Sequence, residues 1–147
     1  MACPYFMPEE RLDSTWPFPQ RLPLGRGWAG VCMAPGHEHE HPCGEELTSS
    51  CNLGYAKSCS RMPADRRADA VRFCLGEERD GVLHVRFVCE LAYLPAGDGE
   101  LLYDKRSATW IEKHADACLQ RMAECYVRAQ MERRIVEPGN EKPRPRS

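Results

Sequence analysis

The clearest alternation of apolar and polar residues begins at about residue 68. In ADAVRFCL, the side chains of Val71, Phe73 and Leu75 alternate with smaller or more polar ones, which is the period of a half-buried strand. After GEERDG, which predicts a turn, the stretch GVLHVRFVCELAYL repeats the alternation. PAGDG predicts a second turn and ELLYD a third strand. The pattern therefore predicts a short antiparallel β-meander.

The following segment has helical periodicity. The spacing of apolar residues predicts one long C-terminal helix from about Thr109 to Ile135, and Thr109 with Glu112 has the spacing of a capping box. Such a helix would pack on the sheet through an apolar stripe. The stripe consists of Ile111, Ala115, Cys118, Met122, Cys125 and Ala129.

Residues 1–66 show neither strand nor helix periodicity for more than a few positions. They contain eight prolines, which remove backbone donors and interrupt regular structure. Their aromatic residues and five cysteines make them too apolar for a solvated linker. We therefore predict one α+β domain over residues 1–136. It comprises an irregular, proline- and cysteine-rich N-terminal lobe (1–66) and the meander with its helix (68–136), followed by a disordered tail (137–147).

Composition and charge narrow the classes of function. The formal net charge is -2 with a pI near 6.2, and no basic block stands out, which argues against nucleic acid as a partner. No apolar run approaches the roughly 18 residues of a membrane span. The opening MACPYFMPEE lacks the features of a secretory signal. These observations predict a cytoplasmic protein that does not bind membranes.

Nine cysteines are the strongest anomaly of composition. In a reducing compartment they are more typical of metal ligands, core residues or redox thiols than of disulfides. Cys89 shares a predicted strand face with apolar residues, and Cys118 and Cys125 lie on the helix stripe, so these three are interpreted as core residues. Cys74 lies on the other strand face, and its assignment to the core is less decided.

The five cysteines of the N-terminal lobe have no periodic explanation. In CNLGYAKSC, a continuous helix would separate Cys51 from Cys59 by about 12 Å along its axis. Two sulfurs so far apart cannot share one zinc ion, to which each would bond at about 2.3 Å. Gly54 can take a positive φ and fold the chain back. The stretch LTSSC before it offers caps for a short helix, and the two sulfurs could then converge.

The ligand spacing favours a cluster over a single ion. Structural zinc sites usually contain close cysteine pairs, and the sequence has no CxxC. A cubane cluster is wider and accepts thiolates from more distant backbone positions. Cys3 precedes Pro4, as at ligand positions of bacterial ferredoxins, and Cys32 follows GWAG, whose glycine amides could donate to cluster sulfides. We predict a [4Fe-4S] cluster held by Cys3, Cys32, Cys51 and Cys59, with zinc, or no metal, as the alternatives.

Two other parts of the sequence contain possible metal ligands. Cys43 is an alternative fourth ligand. In PGHEHEHP, an extended backbone would direct His37, His39 and His41 to one side, as a second metal site. Because short histidine-rich tracts often bind metals only adventitiously, a solvated loop is the favoured interpretation of this tract.

Several short motifs together resemble those of a group of small, uncharacterised, cysteine-rich bacterial proteins. The motifs are CPYF, LPLG, GVC, CNLGYA with a following cysteine, and DAVRF. They cover roughly the first half of the chain and the hairpin. The resemblance implies no activity, but it suggests that the cysteines within these motifs act together. Five cysteines fall outside the motifs: Cys43, Cys74, Cys89, Cys118 and Cys125.

The predicted function follows from the predicted cluster. It is electron transfer or the sensing of redox state or iron, as an accessory subunit with a protein redox partner or within a larger complex. Four thiolate ligands leave no open site for a substrate, which disfavours catalysis. The first alternative is a zinc-stabilised protein-interaction module. The second is a reactive-thiol enzyme that pairs Cys51 with His37 or His114.

Overall fold

The computed structural model describes residues 1–13 and 16–140, and its fold is α+β, as the sequence predicts. Two antiparallel sheets contain the strands. The two-stranded sheet consists of β1 (Phe6–Arg11) and β2 (Trp28–Cys32). The four-stranded sheet has the order β3-β4-β5-β6, with β3 at Ala70–Arg79, β4 at Val82–Leu91, β5 at Leu94–Asp104 and β6 at Thr109–Trp110.

Three helical segments complete the described fold. A 3-10 turn spans Pro19–Arg21. Helix α1 (Gly44–Glu46) continues without a break into a π turn at Leu47–Cys51. Helix α2 spans Ala117–Asn140. Within the described residues, no helix combines the length and the apolar character needed to cross a membrane.

The predicted start of the long helix at Thr109 is wrong. Thr109 and Trp110 form β6, which pairs with Asp104 and Tyr103 of β5, so they are extended. The true cap is Asp116, whose Oδ1 accepts hydrogen bonds from the first backbone amides of α2. The predicted end near Ile135 is also wrong, because α2 reaches Asn140. The predicted disordered tail overlaps α2 at residues 137–140, and its residues 141–147 lie outside the described residues.

The meander is confirmed, but its turns differ from the predicted ones. β3 and β4 extend almost to Asp80 and Gly81, whose φ values of 53° and 79° give the tight turn. The next turn lies at Ala92 and Tyr93, with φ values of 52° and 66°. The prediction of a turn at PAGDG is wrong, because these residues lie inside β5.

Helix α2 covers one face of the meander. Phe73, Val85 and Phe87 are buried on the sheet, and the Phe73 ring stacks on Tyr126 with 5.7 Å between centroids. The predicted helix stripe is confirmed from Cys118 onward, where all four of its members are buried. Its first two members, Ile111 and Ala115, precede α2 and are exposed.

The prediction of an irregular N-terminal lobe is wrong for two segments, since β1 and β2 pair along most of their length. Pro8 sits at a bulge of β1, which is where a strand tolerates a residue without an amide hydrogen. Its carbonyl accepts a hydrogen bond from Arg121 Nε at 2.8 Å, which fastens β1 to α2. A Cβ at Gly30 would lie 2.1 Å from the Met7 carbonyl oxygen, so the close approach of the strands needs glycine there.

The beginning of the chain joins the lobe to the meander. Ala2 and Val71 exchange backbone hydrogen bonds of 2.8 Å in both directions, on the free edge of β3. Buried side chains from the lobe, the sheet and α2 form one continuous core. The segments around Cys3 and Cys51 are therefore held against a rigid sheet.

Candidate functional site

The structure brings together the four cysteines that the sequence predicts as ligands. Cys3, Cys32, Cys51 and Cys59 all line one cavity of about 20 Å³ in the N-terminal lobe. Phe6, which is 1% exposed, forms part of its apolar wall. Four thiols thus share one largely buried, apolar space, although their positions in the chain span 57 residues from 3 to 59.

A sharp turn after Cys51 allows the chain to return to the cavity at Cys59. The π turn ends at Cys51, and the Gly54 amide donates to the Ser50 carbonyl at 2.8 Å. Gly54 has a φ of +74°, and a Cβ there would lie 2.6 Å from the Met1 carbonyl oxygen and 2.8 Å from the Ala70 Cβ. Glycine is therefore required both by the backbone conformation and by the close packing of this turn.

Asn52 fixes this turn to β2, which the sequence analysis missed. Its side chain is 1% exposed, and its Oδ1 accepts a hydrogen bond from the Trp28 amide at 3.1 Å. Its Nδ2 donates to the carbonyls of Trp28 and Leu47, both at 2.9 Å. One amide side chain therefore satisfies three buried backbone groups and sets the distance between β2 and the π turn.

Backbone hydrogen bonds position the first two cysteines. The Cys3 amide donates to the Cys51 carbonyl at 3.0 Å, which places these residues side by side. Cys32 ends β2, and its sulfur accepts a hydrogen bond from the Ala34 amide at 3.4 Å. The glycine amides of GWAG were predicted to donate hydrogen bonds to cluster sulfides. Gly30 instead serves the pairing of β1 with β2, and the recorded donor to sulfur comes from the residues after Cys32.

Three thiols of the cavity have a raised pKa, which favours their neutral form. Burial, with a contribution from the neighbouring Cys32 and Cys59 thiols, raises the pKa of Cys3 to about 12. Burial also raises the pKa of Cys51, and its cysteine neighbours raise it further. The pKa of Cys32 is raised by burial, against the opposing effect of the Ala34 hydrogen bond. Binding of a metal must therefore release protons from these groups.

Arg61 lies on the wall of the same cavity and forms two ion pairs. Its Nε donates to Glu40 Oε1 at 2.8 Å, and its Nη1 contacts Glu46 Oε2. The arginine side chain is 19% exposed, whereas Glu40 is 44% exposed. These contacts place a positive charge beside the thiols, and the sequence analysis did not single out Arg61. The only signal in the sequence was its position two residues after Cys59.

The remaining cysteines lie elsewhere. Cys43, the predicted alternative ligand, is exposed and precedes α1, and it is not among the described residues that line the cavity. Cys118 and Cys125 are buried in the core, as predicted, and Cys89 is half-buried against it. Cys74 is exposed, so its assignment to the core is wrong. All nine cysteines are free thiols.

The histidine tract forms a turn instead of the extended segment that a three-imidazole site would require. His37 Nδ1 lies 2.9 Å from Glu40 Oε2, and His39 has a φ of 65°. The His39 amide donates to the Cys32 carbonyl, so the loop closes on the end of β2. Among the described residues, no three His, Cys, Asp or Glu side chains are arranged to hold a single metal ion.

The predicted pairs of Cys51 with His37 or His114 are not formed at the cavity in the described residues. A catalytic cysteine needs a lowered pKa and a nearby base, whereas the pKa values of Cys3, Cys32 and Cys51 are all raised. No imidazole occurs among the described residues that line the cavity. His114, the more distant candidate, accepts a hydrogen bond from the Asp116 amide at 2.9 Å and packs against Phe87.

The set of donors fits an iron-sulfur cluster in number and in chemistry. Four thiols with an amide donor to one sulfur and an apolar wall correspond to the usual surroundings of such a group. The cavity volume is little more than that of one water-sized probe, so the four side chains must move apart to admit a cluster. Cys32 and Cys59 are only half-buried and have room to do so.

The chain was compared with protein-family models, with curated proteins and with solved structures, and none of them matches. The group suggested by the CPYF and CNLGYA motifs therefore stays a resemblance. The function has to be argued from the residues of the cavity.

Proposed function

We propose that this protein binds a [4Fe-4S] cluster through Cys3, Cys32, Cys51 and Cys59 and acts in electron transfer or in the sensing of redox state or iron. The observation that carries the proposal is the arrival of these four distant cysteines at one cavity. Chance burial of small apolar residues would not select four thiols for one cavity, while Cys118 and Cys125 show the ordinary pattern of cysteine within the core.

The cysteines and their neighbours would have separate parts in holding a cluster. The four cysteines would supply thiolates after losing their protons. The Ala34 amide donates to the Cys32 sulfur, and hydrogen bonds of this kind raise the potential of a cluster by stabilising its negative charge. Phe6 limits the access of water. When bound, a cluster supplies one-electron transfer at a potential that these surroundings set.

The spacing of the cysteines along the chain favours a cluster over zinc. Structural zinc sites usually contain close cysteine pairs, and the sequence has no CxxC. A cubane would accept thiolates that are farther apart, because each would bind a different iron. With four protein ligands, no iron is left open to substrate, so transfer of electrons is favoured over catalysis.

The proposed setting is the cytoplasm, with a protein redox partner or a larger complex. The nine free thiols support a reducing compartment. A cluster held near the surface by half-buried Cys32 and Cys59 is accessible to a partner's redox centre. The partner would need to approach the side of the N-terminal lobe on which these residues lie.

The test is chemical analysis of protein purified without oxygen. We expect about four iron and four sulfide per chain and broad absorption near 400 nm. The variant Cys51→Ser should lose both, whereas Cys74→Ser, which replaces an exposed thiol, should keep both. One equivalent of zinc without sulfide would contradict the proposal and support a zinc-stabilised interaction module. A chain that binds neither metal, even after reconstitution with iron and sulfide, would also contradict it.

A further inference from the structure

Arg61 connects the segments that carry three of the four cysteines. Its Nε donates to Glu40 at 2.8 Å. The Glu40 carbonyl in turn accepts a hydrogen bond from the Cys32 amide at 2.8 Å. The guanidinium is thus linked to the end of β2 through one residue, and it fixes the loop that returns to Cys32.

The other contact of Arg61 reaches α1. Glu46 accepts from Arg61 Nη1, and its other carboxylate oxygen accepts from the Cys43 amide at 2.9 Å. Because α1 runs directly into the π turn, the position of Glu46 influences that of Cys51. Arg61 itself follows Cys59 by two residues. A single side chain therefore holds together the segments of Cys32, Cys51 and Cys59.

The charge of Arg61 also matters at this place. Among the described residues that line the cavity, Arg61 is the one with a charged side chain. Removal of the guanidinium would leave two carboxylates near the cavity, whereas the intact group offsets one of their two negative charges and so weakens the repulsion of thiolates. The same charge would stabilise the more negative, reduced form of a cluster.

We propose that Arg61 is a positioning residue that holds the cysteine segments together around the cavity and that, when a cluster is bound, stabilises its negative charge. The stabilisation of cluster charge rests on the proposed function. The positioning of the cysteine segments concerns the chain alone, because the two ion pairs exist without any bound group. Each half of the inference therefore has its own measurement.

The first measurement uses protein freed of metal by chelation. In Arg61→Gln, the backbone amides of Cys32, Cys51 and Cys59 should exchange with deuterium several-fold faster than in the wild type, as followed by mass spectrometry of peptides. This rate does not depend on the charge of the thiols. The matched control is Arg26→Gln. Arg26 is 17% exposed and pairs with Asp13 and Glu132, at 3.4 and 2.6 Å, so it resembles Arg61 in burial and partners but does not line the cavity.

The second measurement uses protein reconstituted with iron and sulfide. Substitution of a residue that supports metal ligands typically weakens binding by about 10- to 100-fold, and we expect this of Arg61→Gln, with a midpoint potential more negative than that of the wild type. Arg61→Lys should reverse part of the shift in midpoint potential, because it restores the positive charge. It should restore the affinity for the cluster less, because lysine lacks the forked donor geometry that joins the two carboxylates. Arg26→Gln should match the wild type in both properties.

The results distinguish the inference from the proposed function. Faster deuterium exchange at the three cysteine amides in Arg61→Gln alone supports the closure. Equal rates in Arg61→Gln and the wild type, or equal increases in Arg61→Gln and Arg26→Gln, overturn it. If the wild type binds no iron, the proposed function fails, and so does the electrostatic half of the inference. If Arg61→Gln does not fold, Glu46→Gln, which removes one of the two ion pairs, is measured in its place. It should loosen the same segments, but its midpoint potential should be less negative than that of the wild type, because a carboxylate charge is lost.

Discussion

The N-terminal lobe and the meander are held together in different ways. In the meander, β3, β4 and β5 pair along long continuous ladders, and α2 covers one face with apolar side chains. In the lobe, the β1–β2 pairing is short, and individual side chains join the remaining loops. Asn52, Gly54 and Arg61 each fix a separate junction. Because no ladder backs these junctions, single substitutions should affect the lobe more than the meander.

The cysteines of the two regions also differ in their surroundings. Cys118 and Cys125 pack in the core beneath the meander, where a thiol serves as a small apolar group. Four of the five cysteines of the lobe line one cavity instead, while the fifth, Cys43, is exposed. We infer that the lobe depends on a bound group for part of its stability, while the meander does not.

The largest expected difference between the regions concerns metal. Cys51→Ser should abolish iron binding and with it the stability that ligation gives to the lobe. Cys125→Ala should keep iron and lower the free energy of unfolding by about 1 kcal/mol, as a small truncation in the core does. Iron analysis combined with anaerobic urea unfolding would measure both. Equal loss of iron from the two variants would remove the distinction between the cavity cysteines and the core cysteines.

Asn52 and Gln120 allow a comparison of buried amides. Asn52→Ala removes the side-chain partner of the buried Trp28 amide and carbonyl and one of the two donors to the Leu47 carbonyl, and we expect a loss of about 3 kcal/mol. Gln120 is also buried, but its side chain accepts from one backbone group, the His114 amide, and otherwise contacts Glu124. Gln120→Ala should therefore cost about 1 kcal/mol. Equal costs in chemical denaturation would contradict the special role assigned to Asn52.

Gly54 and Gly36 separate packing from backbone strain within the lobe. Both have positive φ, +74° and +83°, but a Cβ at Gly36 would meet nothing within 4 Å. Gly36→Ala should cost about 1 kcal/mol from conformation alone. Gly54→Ala should cost about 2 kcal/mol or more, because its Cβ also overlaps Met1 and Ala70. Thermal unfolding of the two variants would test this, and a smaller loss at Gly54 would contradict the packing described for the turn.

The smallest expected effect concerns the junction of the two regions at low pH. The Ala92 amide, and then Arg66, hold the pKa of Asp69 below its ordinary value of 3.8. A lowered pKa in the folded chain stabilises it above pH 3.8, and this contribution disappears as pH falls further. Asp69→Asn should therefore lose less stability than the wild type between neutral pH and about pH 3. Identical losses, measured by urea unfolding at both pH values, would show that Asp69 is not linked to acid stability.

The sequence predicted the meander because the alternation that defines a half-buried strand is local. The turns were harder, since Ala92 and Tyr93 adopt positive φ without the residues that usually indicate it, while PAGDG has such residues and lies in a strand. Thr109 and Glu112 have the spacing of a capping box, but the pairing of β6 with β5 overrides the local preference for a helix start there. Local patterns thus predict an element until a tertiary contact competes for the same residues.

The meeting of four cysteines at one cavity was predictable from the sequence, but the residues that support this cavity were not. Gly54 between Cys51 and Cys59 indicated that the chain could fold back, and Cys3 and Cys32 were selected from their neighbours in the sequence. The pairing of β1 with β2 was missed because it joins segments separated by a long loop and contains a proline. The role of Asn52 depends on that pairing, since two of its hydrogen bonds reach Trp28. A contact between distant segments produces no periodic pattern of apolar residues in either segment.

The bridge between Ala2 and Val71 has a consequence for self-association. β3 is the outer strand of the four-stranded sheet, and an uncovered outer strand offers its amides and carbonyls to strands of other molecules. Ala2 occupies these groups at the beginning of β3, and the far end of the strand has the charged residues Glu77, Glu78 and Arg79. The segment that contains Cys3 thereby also shields the meander from aggregation. Displacement of residues 1–3 would expose the apolar part of β3 to neighbouring chains.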